Sequence, residues 1–130
     1  MIVLDASTVL EILLQTEAGA PVAKRLLRSD SSLHAPHLLD VEVAQVLRRF
    51  VAQGEVPEAR ARQALAALAD FPLERYSHTI LLPRIWALRQ NLSAYDAAYV
   101  ALAEVLGATL LTRDARISRA PGLAARIEVF

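Results

Sequence analysis

Four acidic residues fall at or just beyond the ends of predicted strands, where carboxylates could act together. Asp5 ends the apolar run Ile2-Val3-Leu4, and Asp114 follows a short segment of threonine and leucine. Glu42 and Asp96 lie in the first turns of two predicted helices. Carboxylates gathered without basic partners repel one another, so they must either protonate or take up a cation. We therefore predict a site for a hard divalent ion, Mg²⁺ or Mn²⁺, since these ions bind carboxylate and phosphate oxygens.

Such a site suggests a hydrolytic reaction. Two divalent ions about 4 Å apart can activate a water molecule and stabilise the leaving oxygen of a phosphodiester. One choice stays open within the predicted helix over 38–53, because Asp40 and Glu42 are only two residues apart. On a helix they point about 200° from each other, so only one of them can face the site.

Each acid also has an ordinary structural interpretation. Asp96 completes a capping-box pattern that begins at Ser93, and Asp114 stands where it could cap a short helix. Thr8-Val9-Leu10-Glu11 forms a second capping-box pattern, and there we predict capping alone. Asp5 is the hardest to explain structurally, because an acid at the end of an apolar strand must be paired, neutral or functional.

The elements that must position these side chains alternate between strand and helix. Short apolar or β-branched runs predict strands, and apolar residues repeated at three and four predict helices. This alternation indicates right-handed crossovers, so we predict an α/β fold, a three-layer α/β/α sandwich with a central parallel sheet. In such sheets ligands bind beyond the carboxyl ends of the strands. The predicted strands are Met1–Asp5, Ser32–Pro36, Phe71–Tyr76, Thr109–Thr112 and Ile127–Phe130, and the predicted helices are Ser7–Gln15, 20–28, Leu38–Gln53, Pro57–Asp70, His78–Gln90, Ala94–Leu106 and Ala115–Arg119.

Length and composition limit the class of protein. The 130 residues, 55% of them apolar, predict a single folded domain over residues 1–130. Basic and acidic residues both number 14, so there is no net positive field for nucleic acid and any basic site must be local. The absence of cysteine excludes cysteine-ligated metals and thiol catalysis and favours a reducing cytoplasm. Because no apolar stretch is long enough for a membrane span or a signal peptide, we expect a cytoplasmic protein with no membrane partner.

Four segments carry motifs that occur together in one protein family. They are Ile2-Val3-Leu4-Asp5-Ala6-Ser7, Ala35-Pro36 through Glu42 to Leu47-Arg48-Arg49, Leu92-Ser93-Ala94-Tyr95-Asp96-Ala97-Ala98-Tyr99, and Leu110-Leu111-Thr112-Arg113-Asp114-Ala115-Arg116. In this order they resemble the PIN-domain ribonucleases, specifically the VapC toxins of bacterial and archaeal toxin–antitoxin pairs. The resemblance covers the whole chain.

The resemblance implies a PIN-like fold and an Mg²⁺- or Mn²⁺-dependent endoribonuclease. It also implies a cognate VapB-type antitoxin, an RNA substrate and a homodimer. The acidic quartet of the family corresponds to Asp5, Glu42, Asp96 and Asp114, which favours Glu42 over Asp40. We expect Asp5, Asp96 and Asp114 to supply most of the metal contacts. Glu42 would bind metal or orient the attacking water.

Further residues are assigned around this quartet. Thr112 and Ser7 match small hydroxyl residues of the family and would hold a carboxylate or a water by hydrogen bonds. We predict that Arg89, Arg113 and Arg116 contact RNA phosphates on either side of the scissile bond. Arg116 stands where some members of the family have another acid, which leaves the number of metal ions open.

The helices near residues 9–28 and 38–69 carry more leucine, valine and alanine than one small sheet can cover. This excess predicts an exposed apolar groove, to be filled by an amphipathic antitoxin segment, by a second copy of the chain, or by both. Trp86, Tyr95 and Tyr99 recur at helical spacing, which favours core or dimer packing over stacking on bases.

Two other enzyme classes fit the sequence less well. A phosphoacceptor receiver domain needs a pair of acids at the first strand and a lysine near the last, and the chain has neither. A phosphatase of the DxD type is excluded because residue 7 is serine. The remaining alternative is a PIN-like scaffold that binds RNA or protein without turnover.

Overall fold

The computed structural model describes residues 1–130 and contains one five-stranded sheet. All of its strand pairings are parallel, as predicted. The strands are β1 (Ile2–Leu4), β2 (Leu33–Pro36), β3 (Leu73–Tyr76), β4 (Thr109–Thr112) and β5 (Arg126–Val129). Their order is β3-β2-β1-β4-β5, so β1 is central and the direction of winding reverses between β1 and β4. In sheets of this kind the point of reversal opens a crevice at the carboxyl ends of the strands.

Helices flank the sheet and complete the predicted three-layer α/β/α sandwich. They are α1 (Ala6–Leu13), α2 (Ala20–Leu27), α3 (Leu38–Ala52), α4 (Glu58–Ala69), α5 (Leu82–Ala87), α6 (Ala94–Leu106) and α7 (Ala115–Arg119), with 3₁₀ turns at Glu17–Gly19 and Thr79–Leu81. Helix α6 packs against β1, β2 and β4, while α1 packs against α3 and α3 against α4. None of these helices is both long enough and apolar enough to cross a membrane.

The central strand explains why the first acid emerges where it does. Ile2, Val3 and Leu4 are 2%, 0% and 0% exposed, since a central parallel strand is covered on both faces. Leu4 of β1 pairs with Leu111 of β4. The residues that follow them, Asp5 and Thr112, therefore meet at the same edge of the sheet. Strand register therefore brings together two residues that lie more than a hundred positions apart.

Helix α6 provides the opposite wall of this edge. Its residues 97–103 are all buried, and four of them are alanine, which lets the helix lie close to the sheet. Ser93 caps the helix by accepting the Asp96 backbone N–H, and Gly107 ends it in the left-handed conformation at φ 60°. The first turn of α6 is thereby fixed beside the carboxyl ends of β1 and β4.

Most predicted boundaries differ from the structure by one or two residues, and proline accounts for two of the differences. The helix predicted over His78–Gln90 is a 3₁₀ turn followed by the short α5, because Pro83 lies in the first turn of α5 and favours a fresh helix start. The strand predicted from Phe71 begins only at Leu73, after Pro72. The last strand runs over Arg126–Val129, one residue earlier than predicted.

The capping box predicted at Thr8 and Glu11 is wrong. Helix α1 begins earlier, with Asp5 as its cap, and the Asp5 carboxylate accepts the Thr8 backbone N–H. The buried Thr8 hydroxyl instead donates to the Leu111 carbonyl oxygen at 3.1 Å. Glu11 forms an ion pair with Arg113. Both capping-box residues therefore tie α1 to the end of β4 and the residue after it.

Candidate active site

Asp5 lies at the carboxyl end of β1 and is held entirely by neutral donors. Its Oδ1 accepts the Ser7 hydroxyl at 2.7 Å and the Thr8 N–H at 2.9 Å. Its Oδ2 accepts the Thr112 hydroxyl at 2.5 Å. The side chain is fixed in one orientation although Asp5 is only 7% exposed, and no arginine or lysine cancels its charge. Ser7 and Thr112 thus make the carboxylate contacts assigned to them from the sequence.

Glu42 projects from α3 toward the same edge. Its Oε2 accepts the Tyr99 hydroxyl at 2.5 Å. Burial raises the pKa of Glu42, and the negative charges of Asp96 and Asp5 raise it further, while the Tyr99 hydrogen bond acts in the opposite direction. Of the two acids of α3, Glu42 therefore faces Asp5 and Asp96. Asp40 points away and pairs with Arg75 on β3.

Asp96 occupies the first turn of α6. Burial is the main cause that raises the pKa of Asp96, and the charges of Asp114 and Asp5 add to it. Half of the predicted capping box is present, since the Asp96 N–H donates to the Ser93 hydroxyl oxygen at 3.1 Å. Asp96 therefore lies within electrostatic range of each of the other three predicted acids. We call Asp5, Glu42, Asp96 and Asp114 the acidic cluster.

Asp114 differs from the other three because it has a cationic partner. Its Oδ1 accepts the Arg116 backbone N–H at 2.9 Å, which makes it the cap of α7. The Arg116 guanidinium also lies against both carboxylate oxygens, with Nη2 and Oδ2 2.5 Å apart. This contact holds the pKa of Asp114 below its usual value. The prediction that all four acids lack basic partners is thus wrong for Asp114.

The arginines predicted to contact RNA all have partners within the chain. Arg113 forms its ion pair with Glu11, and Arg116 lies on Asp114. The Arg89 guanidinium stacks over the ring of Trp86, 4.8 Å from its centre. Each of them would have to exchange an internal contact for a phosphate.

The carboxylates of the acidic cluster are oxygen donors of the kind that a hard divalent cation prefers. In the present arrangement no three acidic or histidine side chains form a metal-binding group. In this arrangement Glu42 is hydrogen-bonded to Tyr99 and Asp114 is bound by Arg116. The set nevertheless fits Mg²⁺ or Mn²⁺, which need only one or two carboxylates with water and substrate oxygens. Burial and neighbouring negative charges raise the pKa values of Glu42 and Asp96. A bound cation would offset both effects by stabilising the ionised carboxylates.

Tyr99 is the residue that the sequence did not assign to the site. It was predicted to pack in the core or a dimer, and it is indeed buried, at 2% exposure. Its hydroxyl, however, is the polar partner of Glu42. The spacing of three residues from Asp96 places both side chains on one face of α6, which is the signal that could have identified it. Trp86 and Tyr95, in contrast, are 69% and 61% exposed, so they are not core residues of the single chain, and their packing in a dimer stays a prediction.

The predicted apolar groove is present next to the cluster. One wall is the start of α3, with Leu38, Val41 and Val46, and the other includes Ala6 and Tyr95. Val41 is 68% exposed, so an apolar surface faces the outside within reach of Glu42. A second cleft lies between α1 and α3, and it is lined by Leu10, Leu14, Val46, Phe50 and Val56 together with polar residues.

Comparison with known proteins gives a consistent result. The PIN domain family model matches residues 2–123. Ribonuclease VapC1 of Mycobacterium tuberculosis is 45% identical over 128 residues, which covers 98% of this chain and 96% of that protein. Among solved structures, VapBC2 from Rickettsia felis, bound to a DNA fragment from its promoter, matches with a TM-score of 0.71 at 14% identity and covers 99% of this chain and 98% of that one. VapC20 of Mycobacterium tuberculosis, described as a sarcin-ricin loop cleaving toxin, matches with a TM-score of 0.70 at 19% identity and covers 97% of this chain and 99% of that one.

Proposed function

The chain belongs to the PIN-domain family and to its VapC ribonucleases, and from that premise we propose that it is a metal-dependent endoribonuclease. It is the toxin of a VapBC-type pair and hydrolyses RNA phosphodiesters with Mg²⁺ or Mn²⁺. The observation that carries this proposal is the meeting of Asp5, Glu42 and Asp96 at one edge of the sheet with only neutral hydrogen-bond partners. Uncompensated carboxylates that are partly buried side by side are costly unless a cation is bound there.

Within this proposal the four acids divide the work. Asp5, Asp96 and Asp114 supply most of the contacts to the cation. A bound Mg²⁺ or Mn²⁺ lowers the pKa of water and stabilises the leaving oxygen of a phosphodiester. Glu42 binds the cation or orients the attacking water, and its raised pKa makes it a stronger proton acceptor than an ordinary carboxylate.

Hydroxyl groups keep these carboxylates in place. Thr112 and Ser7 bind the two oxygens of Asp5, so the carboxylate cannot rotate freely about its Cβ–Cγ bond. Tyr99 does the same for Glu42 from α6. Groups that fix a ligand from behind in this way preserve the geometry of a metal site. None of these donors introduces a positive charge that would compete with a cation.

The substrate is drawn to the cluster by cations at its rim. Because the chain has zero formal net charge, RNA binding has to rely on local arginines. We assign this role to Arg89, Arg113 and Arg116, whose guanidinium groups suit phosphate oxygens. Their present partners, Trp86 and two carboxylates, are released when the phosphate takes their place.

Two protein partners are assigned to the apolar surfaces. An amphipathic segment of a VapB-type antitoxin fits the groove along the start of α3, where it would also block access to Glu42. A second copy of the chain covers a third cleft, between α5 and the starts of α3 and α6, which contains the exposed side chains of Leu82 and Tyr95. The absence of cysteine is consistent with action in the cytoplasm.

A metal-titrated cleavage assay on structured RNA tests the proposal. Wild-type protein should cleave with Mg²⁺ or Mn²⁺ and stop when a chelator is added. Asp5→Asn and Asp96→Asn should each lower cleavage by at least about 100-fold, since a lost charge removes a cation ligand. Asp70→Asn is the matched control, because Asp70 is an exposed aspartate at the end of α4, away from the cluster. Thermal melts of all variants check that they fold.

The same assay separates the enzyme from the scaffold alternative. RNA binding without metal-dependent cleavage would favour a PIN-like protein that has lost turnover. Cleavage that survives chelation, or that is unchanged in both Asp5→Asn and Asp96→Asn, would contradict the proposed function. Cleavage of equal size in Asp70→Asn and wild type is required for either conclusion.

A further inference from the structure

Arg116 places a permanent positive charge at the edge of the acidic cluster, against Asp114. Its Nε lies 3.0 Å from Oδ1 and 3.1 Å from Oδ2 of Asp114, and its Nη2 lies 2.5 Å from Oδ2. Its backbone N–H also donates to Oδ1. Both oxygens of Asp114 are therefore engaged by one residue. A guanidinium in this two-pronged position satisfies a carboxylate in the way that a metal ion otherwise would.

The influence of Arg116 extends beyond Asp114. Its charge counteracts the effect of Asp114 and Asp5 on Asp96, whose pKa they raise and Arg116 lowers. In return, Asp96 adds to the effect of Asp114 in raising the pKa of Arg116. The guanidinium is thus felt by two of the three residues expected to contact the cation. Asp5 and Glu42 have no comparable cationic partner.

The contact has no architectural task that would explain it. Arg84 with Glu104 joins α5 to α6, and Arg75 with Asp40 joins β3 to α3. Arg116 with Asp114 joins residues only two positions apart, and the Arg116 side chain is 85% exposed. The guanidinium can therefore leave Asp114 without unpacking any element.

We infer that Arg116 competes with the divalent cation for Asp114 and thereby sets the affinity of the acidic cluster for that cation. The inference rests on the proposed function, since it takes the cluster to be a metal site. Cation binding at Asp114 requires the guanidinium to withdraw, and the withdrawn Arg116 is then available to a phosphate of the RNA. One side chain would in this way link occupation of the site by metal to a contact with substrate.

Calorimetric titration of Mn²⁺ into the metal-free full chain, without RNA, tests this inference. Arg116→Gln should bind Mn²⁺ about fivefold more tightly than wild type, because an exposed charge pair of this kind contributes modestly. Arg116→Lys keeps the positive charge but loses the two-pronged contact, so it should bind Mn²⁺ less tightly than Arg116→Gln. Arg119→Gln, at the other end of α7 and equally exposed, is the control for a general change in net charge. Electron paramagnetic resonance of bound Mn²⁺ gives an independent affinity.

Each outcome of the titration decides the matter. Tighter binding in Arg116→Gln alone supports the competition. Equal affinities in Arg116→Gln and wild type, with binding abolished by Asp5→Asn, overturn the role of Arg116 and leave the proposed function intact. A similar gain in Arg119→Gln also overturns it, because any lost positive charge would then suffice. Mn²⁺ binding that is indifferent to Asp5→Asn and Asp96→Asn overturns both the inference and the metal site.

Discussion

Asp40 and Glu42 stand two residues apart on α3, yet they belong to two different regions of the molecule. Asp40 forms a two-pronged ion pair with Arg75, with contacts of 2.7 and 2.9 Å. Glu42 has no cation, only the Tyr99 hydroxyl, and its pKa is raised by burial and by its acidic neighbours. The other long-range pairs of the chain, such as Arg84 with Glu104, follow the pattern of Asp40.

The difference separates carboxylates whose ion pairs stabilise the folded state from carboxylates whose charge destabilises it. The Arg84 guanidinium lowers the pKa of Glu104, so the ionised form of this carboxylate stabilises the folded state. Where the pKa is raised, as for Glu42 and Asp96, ionisation at neutral pH destabilises it. A region that is kept at a cost to stability is the region in which to look for function.

Neutralising each of the two acids of α3 in turn should have opposite effects on activity and stability. Glu42→Gln should lower RNA cleavage by at least about 100-fold, the scale of a lost catalytic acid or base. It should also stabilise the metal-free protein by about 1 kcal/mol, because a repelled charge is removed. Asp40→Asn should leave cleavage within about twofold and destabilise the protein by about 0.5–1 kcal/mol, as for an exposed ion pair. Single-turnover kinetics and thermal melts measure both quantities.

Because the two changes are matched in charge and position, they control for each other. If Asp40→Asn lost as much cleavage as Glu42→Gln, the division into two regions would fail. If Glu42→Gln were inactive but less stable than wild type, the statement that ionised Glu42 destabilises the folded protein would be contradicted. The role of Glu42 in cleavage would still be supported.

A smaller effect is expected at the tyrosine that links the buried core to the cluster. Tyr99→Phe removes only the hydroxyl that orients Glu42, and loss of such a supporting hydrogen bond typically lowers activity about 10- to 100-fold. We expect the loss near the lower limit and in kcat rather than KM, because RNA does not touch a buried tyrosine. Tyr95→Phe, on the exposed side of the same turn, is the control. If activity fell equally but only through a higher KM, with kcat unchanged, Tyr99 would support packing alone.

The smallest effect concerns pH. The contributions of His34 and Glu42 to the stability of the folded state should change with pH in opposite directions. His34 is a buried residue of β2, between the Ser32 and Tyr76 hydroxyls at 2.7 and 2.8 Å, and burial lowers its pKa from 6.5. The unfolded chain then takes up the proton more readily, so this contribution to stability is complete above pH 6.5 and is lost as the pH falls below it. Glu42 behaves in reverse, because a raised pKa means that the folded state gains the proton first.

Melts of the metal-free protein at a series of pH values separate these contributions. His34→Gln should flatten the loss of stability on acidification below pH 6.5. Glu42→Gln should remove a gain in stability that appears between its raised pKa and 4.5. His37→Gln, at an exposed position three residues away, is the control. Parallel curves for His34→Gln and wild type would contradict the assignment to His34.

Much of this architecture could be predicted from the sequence because its signals are local. The apolar run of β1, the repeats at three and four in α3 and α6, and Gly107 at the end of α6 each act within a few residues. The predicted parallel sandwich was confirmed because strand and helix signals alternate along the chain. The acids could be gathered at one edge since parallel strands end at the same side of a sheet.

What escaped prediction depends on partners distant in the chain. Thr8 matches a capping box in sequence, but its hydroxyl is directed to Leu111 by the pairing of β1 with β4. The Tyr99 hydroxyl meets Glu42 only after α3 and α6 are packed side by side. Arg116 on Asp114 is local, yet the sequence allowed it to point to RNA equally well. Patterns of residue type cannot resolve which of two available partners a long side chain selects.

The strand order has a consequence for the time at which activity can arise during synthesis. Asp5 is made at the very beginning, but the strand that carries Thr112 inserts beside β1 only after the intervening crossovers have been completed. Asp114 follows Thr112 by two residues, and fragments that stop before β4 lack the neighbour strand on which Asp5 depends. A growing chain therefore cannot assemble the acidic cluster until β4 and Asp114 have been made.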